Sequence, residues 1–259
     1  MTDGGVFSNY ARYYDLLYGD KDYAAETAFV LRELSRHTPA VSSVLELGCG
    51  TGAHGIHMAR AGVGVDGIDL SQEMLVAAER RRAAEADEVS ARLAFSAGDA
   101  RTVRTGKIYD AVVSLFHVMS YQNRNEDLRA TFQTAASHLA PGGLFLFDYW
   151  FGPAVLAQSP EVRVRRLEDE SIRVTRIAEP EQRPEENIVD VNYTVLIEDK
   201  RTSYTETVAE THSMRYLFLP EILHFAEDLF TVAHSGEWLT GSRLSSSSWA
   251  GYSLLVRKE

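Results

Sequence analysis

Short apolar segments alternate with amphipathic ones from residue 43 onward, and this rhythm predicts strands alternating with helices. The predicted strands are, in chain order, SVLELG, GVDGIDL, RLAFSAGD, YDAVVSLFHV and LFLFDYW. The helical patterns between them are GAHGIHMARAG, SQEMLVAAERRRAAEA and NEDLRATFQTAASHLA, the second opened by Ser71 as its N-cap. A further helix, DYAAETAFVLRELSRHTP, precedes the first strand, with Asp22 as its N-cap. This alternation is typical of a parallel sheet covered by helices on both faces.

The pattern changes after Pro153, where polar and apolar residues alternate along four segments. These segments are VRVRRLE, IRVTRIAE, NIVDVNYTVLIED and RTSYTETVAETHSMRYLF. Such alternation predicts antiparallel strands with one face toward solvent. A helix, LPEILHFAEDL, and a closing pair of strands, FTVAHSGEW and WAGYSLLVRK, follow them.

Composition and charge narrow the classes of function. Of the 259 residues, 45% are apolar and 24% are charged, which is ordinary for a globular protein. The net charge of −11 argues against nucleic acid as a partner, because phosphate binding needs a basic surface. The single cysteine, Cys49, excludes an internal disulfide and a multi-cysteine site, and we expect no metal. With no apolar run of membrane-spanning length and no secretory signal, we expect a cytoplasmic enzyme without membrane contact.

A glycine-rich loop after the first strand points to a nucleotide ligand. Residues Gly50 to Gly55 spell GxGxxG between a strand and a helix, and Asp69 follows nineteen residues after Gly50. This spacing is close to the dinucleotide fingerprint. A short-chain reductase would also need a Tyr-x-x-x-Lys pair, and no lysine of the chain has a tyrosine four residues before it. The nicotinamide alternative is therefore the weaker one.

Three acidic residues sharpen the interpretation of this loop. Glu46 lies inside the strand that precedes it, and Asp69 and Asp99 end the next two strands. The carboxyl ends of parallel strands face the ligand crevice in such sheets. Asp69 is therefore placed to accept from ribose hydroxyls, and Asp99 from the exocyclic amine of adenine. Glu46 favours a ligand that carries a cation or an amine.

Five segments, LELGCGTG, GIDLSQEM, GDAR, YDAVVSLFHV and LAPGGLFLFD, resemble in this order the motifs of class I S-adenosylmethionine-dependent methyltransferases. The resemblance implies S-adenosylmethionine as cofactor and S-adenosylhomocysteine as product. It implies backbone contacts from the glycine loop to the methionine part and a carbonyl of Leu115 near its amino group. The cofactor-binding residues that it implies are Tyr14, Glu46, Gly48, Gly50, Gly52, Asp69, Leu70, Met74, Asp99, Ala100 and Leu115.

Aromatic residues on two segments are the candidates for the catalytic side. YDxLY near the N-terminus resembles the lid of small-molecule N-methyltransferases, and Tyr10, Tyr14 and Tyr18 recur on one face of a predicted helix. Phe116 and His117 follow the fourth strand, beside the predicted position of the methyl group. We expect catalytic roles for Tyr10, Tyr18, Phe116 and His117. The alternatives are ring packing for the tyrosines and a purely structural hydrogen bond for His117.

The antiparallel addition resembles the sheet that covers the substrate in N-methyltransferases acting on amino sugars. The residues predicted to contact the substrate are Tyr121, Tyr149, Trp150 and Phe151. Packing between the two sheets is an equally weighted alternative for the aromatic run 149–151. The arginines that would suit a phosphate of a nucleotide-linked acceptor, or else are ordinary exposed charges, are Arg163, Arg165 and Arg166.

We therefore predict an α/β protein with a Rossmann-like, doubly wound, mostly parallel sheet of seven strands, an added antiparallel sheet and an N-terminal helical lid. The lid spans residues 1–40, the cofactor-binding core 41–155, the antiparallel substrate-side sheet 156–215, and the last elements of the core 216–259. The predicted function is methyl transfer to the amine of a small molecule, an amino sugar or antibiotic intermediate, by in-line displacement with the acceptor positioned by lid aromatics.

Two alternatives to this function stay open. A small-molecule or sugar O-methyltransferase would use His117 as its base. A non-catalytic adenosine-binding module would bind the cofactor without transferring its methyl group. The added sheet is the expected surface for a homo-oligomer.

Overall fold

A computed structural model describes residues 16–38 and 40–259, which build a twisted sheet with a hydrophobic cluster on each face. The strands are β1 Ser43–Leu47, β2 Gly64–Asp69, β3 Leu93–Ala97, β4 Tyr109–Ser114, β5 Leu139–Phe151, β6 Arg163–Glu168, β7 Ile172–Arg183, β8 Ile188–Asp199, β9 Thr205–Leu217, β10 Phe230–Glu237 and β11 Ala250–Arg257. The helices are α1 Tyr23–Ser35, α2 Ala53–Arg60, α3 Gln72–Ala83, α4 Asp87–Ser90, α5 Asn125–Ser137, α6 Gly152–Gln158 and α7 Leu219–Ala226. None of the helices within these ranges is long and apolar enough to cross a membrane.

Seven strands form the core sheet, in the order β3-β2-β1-β4-β5-β11-β10. Neighbouring strands from β3 to β5 are parallel, whereas β11 is antiparallel to both β5 and β10. The predicted seven-stranded, mostly parallel sheet is confirmed. The strand order reverses between β1 and β4, and at such a point the carboxyl ends of the strands open a ligand crevice.

The strands β6–β9 form an antiparallel sheet, which we call the roof sheet. In the described part of the chain it pairs with the core sheet at two positions, Trp150 with Tyr216 and Phe151 with Leu217. One face of the roof sheet is buried, with Val174, Val195 and Ile197 packed together. The predicted antiparallel addition with one wet face is thus confirmed.

Local sequence signals set the ends of several elements. The Asp22 side chain accepts from the Ala25 amide at 2.8 Å, and the Ser71 hydroxyl accepts from the Met74 amide at 3.3 Å, so both predicted N-caps are present. The predicted strand YDAVVSLFHV is shorter than expected, since β4 ends at Ser114. The four residues that follow leave the sheet and turn toward β5.

Candidate active site

The glycine loop between β1 and α2 is hydrogen-bonded to the end of β2. The amides of Gly48 and Cys49 both donate to the carbonyl of Ile68, at 2.7 and 2.9 Å. The amide of Gly50 donates to Oδ2 of Asp69 at 2.8 Å. From the sequence, Asp69 was expected near this loop only because parallel strands end at the same edge of the sheet. The structure shows a direct hydrogen bond between the two.

Three glycines of the loop have left-handed backbones, with φ of 76° at Gly48, 53° at Gly50 and 72° at Gly52. Glycine adopts this conformation without the steric cost that a Cβ imposes. A Cβ on Gly48 would lie 2.5 Å from Cγ2 of Val118, which belongs to the turn after β4. The loop predicted to hold the cofactor and the turn predicted to carry catalysis are therefore in direct contact.

Two buried carboxylates lie under and beside the loop. Asp69 also accepts from the amide of Ser71 at 2.8 Å, and burial raises its pKa against the opposing effect of these amide bonds. Glu46 is 1% exposed, and its Oε2 has no hydrogen-bond partner among the described residues. Burial, reinforced by the charge of Asp69, raises the pKa of Glu46 to about 8. A buried carboxyl with one unpaired oxygen fits a ligand that brings a positive charge, as the predicted cofactor does with its ammonium and sulfonium groups.

The adenine end of the predicted site differs from expectation in one respect. The guanidinium of Arg101 grips both oxygens of Asp99, with distances of 2.7 to 3.0 Å, and lowers the pKa of Asp99. Arg101 thus uses much of the capacity of this carboxylate to accept from an adenine amine. The other residues expected around the cofactor are Leu70, which is exposed, and Met74, Ala100 and Leu115, which are buried.

His117 lies in a strained turn immediately after β4. Phe116 and His117 have consecutive left-handed backbones, with φ of 63° and 64°. The backbone amide of His117 donates to the Asp148 carboxylate at 3.0 and 3.1 Å, and ring Nδ1 lies 2.7 Å from Asp148 Oδ2. A carboxylate beside Nδ1 favours the tautomer with its hydrogen there, which leaves Nε2 to accept a proton. The short distance is that of a carboxylate beside a general base, but Nδ1 is not aligned for a hydrogen bond to it within the described residues.

Asp148 is a functional candidate that the sequence interpretation missed. It is 1% exposed, in the middle of the apolar strand β5. A single acid inside an otherwise apolar strand was the available signal, because a buried carboxylate needs a partner. That partner, His117, lies 31 residues earlier in the chain.

The predicted catalytic residues Tyr18 and Phe116 are brought together. Their rings meet edge to face with centroids 5.1 Å apart, and Arg176 of the roof sheet donates to the Tyr18 hydroxyl at 3.0 Å. The side chain of Tyr18 thus contacts both the turn after β4 and the roof sheet. Tyr10 and Tyr14 lie outside the described residues.

Polar side chains of the roof sheet meet the same turn from above. The Tyr121 hydroxyl is 2.7 Å from Nδ1 of His212, and the other ring nitrogen of His212 is 3.4 Å from Glu210. The ring of Tyr193 packs edge to face on His212, and Arg176 lies over Tyr193, 5.0 Å from its centroid. Sequence reasoning named Tyr121 but none of its roof partners, since strand alternation alone does not show which face turns inward.

The aromatic run at the end of β5 divides between the two faces of the sheet. Trp150 lies on the same face as Asp148, and its ring centroid is 6.2 Å from that of His117. Tyr149 and Phe151 point to the opposite face, where they belong to the main hydrophobic cluster, and Tyr149 is fully buried. The expectation of substrate contact is therefore corrected for Tyr149 and Phe151, because side chains alternate along a strand.

Parts of this chain resemble known proteins in sequence. Residues 44–143 match the family described as "Methyltransferase domain". A "dTDP-3-amino-3,4,6-trideoxy-alpha-D-glucopyranose N,N-dimethyltransferase" of Streptomyces venezuelae is 36% identical over 58% of this chain and 60% of its own length. A "dTDP-3-amino-3,6-dideoxy-alpha-D-glucopyranose N,N-dimethyltransferase" of Streptomyces fradiae is 29% identical over 76% of this chain and 74% of its own length. The first match therefore spans less than two thirds of that relative.

Structural similarity extends over nearly the whole chain. The crystal structure of Streptomyces venezuelae DesVI has a TM-score of 0.75 with 25% identity, and the alignment covers 96% of this chain and 97% of that one. The shared region includes the roof sheet as well as the core sheet. Residues 44–143 therefore resemble a methyltransferase domain, and the predicted resemblance of the chain to the class I S-adenosylmethionine-dependent methyltransferases is confirmed.

Proposed function

We propose that this protein transfers a methyl group from S-adenosylmethionine to the amine of a small molecule, an amino sugar linked to a nucleotide. The observation that carries the proposal is the His117–Asp148 pair, which lies beside Phe116 and Trp150 at the carboxyl ends of β4 and β5. The names of the two curated relatives supply the chemical class of the acceptor.

The residues that would hold the cofactor are those of the loop and the strand ends. Gly48, Gly50 and Gly52 allow close backbone approach to its methionine part, and Asp69 faces its ribose. Glu46 lies buried beneath the positively charged end, where a bound cation would favour its ionised form. When bound, the cofactor contributes an electrophilic methyl group on sulfonium, and the protein's task is alignment of the acceptor with it.

His117 would remove the proton that blocks the acceptor's lone pair. An alkylamine is an ammonium ion at neutral pH, so its nitrogen attacks only after proton loss. Nε2 of His117 accepts that proton, and Asp148 stabilises the imidazolium and holds the ring in place. A second methylation would need the same step again, which suits the dimethylation in the relatives' names.

The acceptor would lie between the turn 116–121 and the inner face of the roof sheet. Arg176, Glu210 and His212 give that face donors and acceptors for a sugar, surrounded by apolar residues such as Val208. Arg163 and Arg165 alternate onto the same face, since Arg165 pairs with Arg176 in register. Arg165 is already bound to Asp20, so Arg163 is the better candidate for a phosphate.

The proposal is tested by offering matched acceptors to the purified protein. With S-adenosylmethionine and a dTDP-3-amino-3,6-dideoxyglucose, we expect product masses higher by one and two methyl groups. The same nucleotide sugar with a hydroxyl in place of the amine is the control and is expected to stay unmodified.

An O-methyltransferase is the second candidate, because an oriented His–Asp pair also suits removal of a hydroxyl proton. Methylation of the hydroxyl control but not of the amine would establish this candidate and overturn the first. Tight binding of S-adenosylhomocysteine without any methyl transfer to a broad panel of amines and sugars would instead favour a non-catalytic binding module.

Further expectations from the sequence are kept as proposals. We propose that residues 1–40 form a lid whose aromatic residues position the acceptor, with a catalytic role for Tyr10 and a cofactor contact for Tyr14. A cytoplasmic location, the absence of nucleic acid as a partner and a homo-oligomer formed through the roof sheet belong to the same proposal.

A further inference from the structure

Lys21 is a mostly buried lysine close to the acidic residues below the glycine loop. The side chain of Lys21 is 13% exposed, and its ammonium lies 4.5 Å from the ring centroid of Phe116 and 4.8 Å from that of Tyr23. Phe116 follows the end of β4, and the Tyr23 ring packs at 4.9 Å on His54 at the start of α2. Lys21 therefore sits between the two elements that flank the predicted methionine part of the cofactor.

A buried network fixes this ammonium in place. Glu26 forms an ion pair with Lys21 and also accepts from Nε2 of His54 at 2.8 Å. Burial alone would raise the pKa of Glu26, but the His54 bond and the charge of Lys21 outweigh it and lower that pKa to about 2. The other ring nitrogen of His54 lies 3.7 Å from Glu46, beneath the glycine loop. Lys21 is thus connected through a chain of ionisable side chains to the loop itself.

The ligand expected here has two charged ends to satisfy. Its ammonium suits the acidic crevice, whereas its carboxylate needs a cation or donors. Two other cations, Arg101 and Arg165, already have anionic partners: Arg101 pairs with Asp99 and Asp127, and Arg165 pairs with Asp20. The lysine also has an anionic partner, but an ammonium has three N–H donors and is able to hold a second carboxylate.

We propose that Lys21 binds the α-carboxylate of the cofactor's methionyl end, and that Glu26 and His54 position it. This inference rests on the proposed cofactor. It adds a partner for the carboxylate, in the segment before α1, to the contacts that the sequence motifs imply for the rest of the ligand.

Two ligands that differ only in the carboxylate test the inference. S-adenosylhomocysteine carries it, whereas its decarboxylated analogue, S-adenosyl-3-thiopropylamine, keeps the amine and lacks it. We expect Lys21→Met to lower the affinity for S-adenosylhomocysteine at least tenfold in calorimetric titration and to change the affinity for the analogue less than twofold. Lys21→Arg should restore most of the loss, because it restores the positive charge.

Lys107→Met is the matched control. Lys107 lies on the loop before β4, pairs with Asp66 of β2, and has a side chain that is 62% exposed. It should leave both affinities unchanged. An equal loss for both ligands in Lys21→Met, or no loss for either, would overturn the assignment and leave the proposed function intact. Failure of the unaltered protein to bind S-adenosylhomocysteine would overturn the cofactor and the inference together.

Discussion

The core sheet and the roof sheet differ in how deeply their strands are buried. Strands β1 and β4 are buried almost throughout, and they hold the glycine loop and the His117 turn at their carboxyl ends. Strands β7 and β8 alternate between buried and exposed positions and present side chains on one face. In the proposed function, the core therefore supplies backbone groups and a few acids to the cofactor, whereas the roof supplies side chains to the acceptor.

The largest expected effect is a loss of kcat on replacing His117, which follows β4 at the edge of the core sheet. His117→Phe keeps a ring in the turn but removes the base, so kcat should fall about 10²- to 10⁴-fold. The affinity for S-adenosylhomocysteine should change less than twofold, which calorimetry checks. His57→Asn, whose charged neighbours include Arg60 and Glu85, is the control with unchanged kcat. An unchanged kcat in His117→Phe would reduce His117 to a structural role.

A smaller effect separates cofactor binding from acceptor binding. Asp69→Ala removes the acceptor of ribose hydroxyls, and the affinity for S-adenosylhomocysteine should fall by about 1–3 kcal/mol. The KM for the amino sugar should stay the same, since the roof is untouched. Asp66→Ala, on the same strand but bound to Lys107, serves as the control. Equal affinity of Asp69→Ala and the unaltered protein would refute the ribose assignment.

The buried carboxyl beneath the loop should give the core a characteristic pH dependence. The folded pKa of Glu46, about 8, lies above its ordinary value of 4.5, so its contribution to stability is present below pH 4.5 and is lost as the pH rises toward 8. Without ligand, the free energy of unfolding of Glu46→Gln at pH 8.5 should therefore be about 1–3 kcal/mol higher than that of the unaltered protein. At pH 4.5 the two should agree. Denaturation curves of both proteins at pH 4.5 and pH 8.5 check this. The same difference in free energy of unfolding at the two pH values would contradict the burial argument.

The smallest effect belongs to the roof. Tyr121→Phe leaves Nδ1 of His212 without its hydroxyl partner, so the KM of the acceptor should rise about three- to tenfold. Cofactor affinity should not change, which would sharpen the division between the two sheets. Tyr204→Phe, on an exposed turn, is the matched control. A loss of cofactor affinity in Tyr121→Phe would show that the division is incomplete.

The sequence predicts the core better than the roof for physical reasons. Asp22 and Ser71 cap helices through contacts three residues away, so local pattern suffices for them. The strand ends that hold Glu46 and Asp69 follow from parallel topology. Such features depend on backbone geometry, which short stretches of sequence encode.

Features that depend on distant partners were not predictable in this way. β4 ends at Ser114, and the turn after it is held by a bond from the His117 amide to Asp148, 31 residues further on. Tyr149 and Trp150 are neighbours of similar character, and only the packing of β5 decides which one faces the crevice. The contact between Tyr121 and His212 spans 91 residues and requires the roof to be in place. Such contacts become visible only after the fold is known.

Two residue pairs are a narrow join for a sheet of four strands. Because β9 meets β5 only through Trp150–Tyr216 and Phe151–Leu217 within the described residues, the two sheets are covalently continuous but share little hydrogen bonding. The sheets are coupled instead by side chains, such as His212 on Tyr121 and Arg176 on Tyr18. We therefore expect substitutions on the outer face of the roof to leave the core sheet unchanged, and substitutions at these side-chain contacts to affect both sheets.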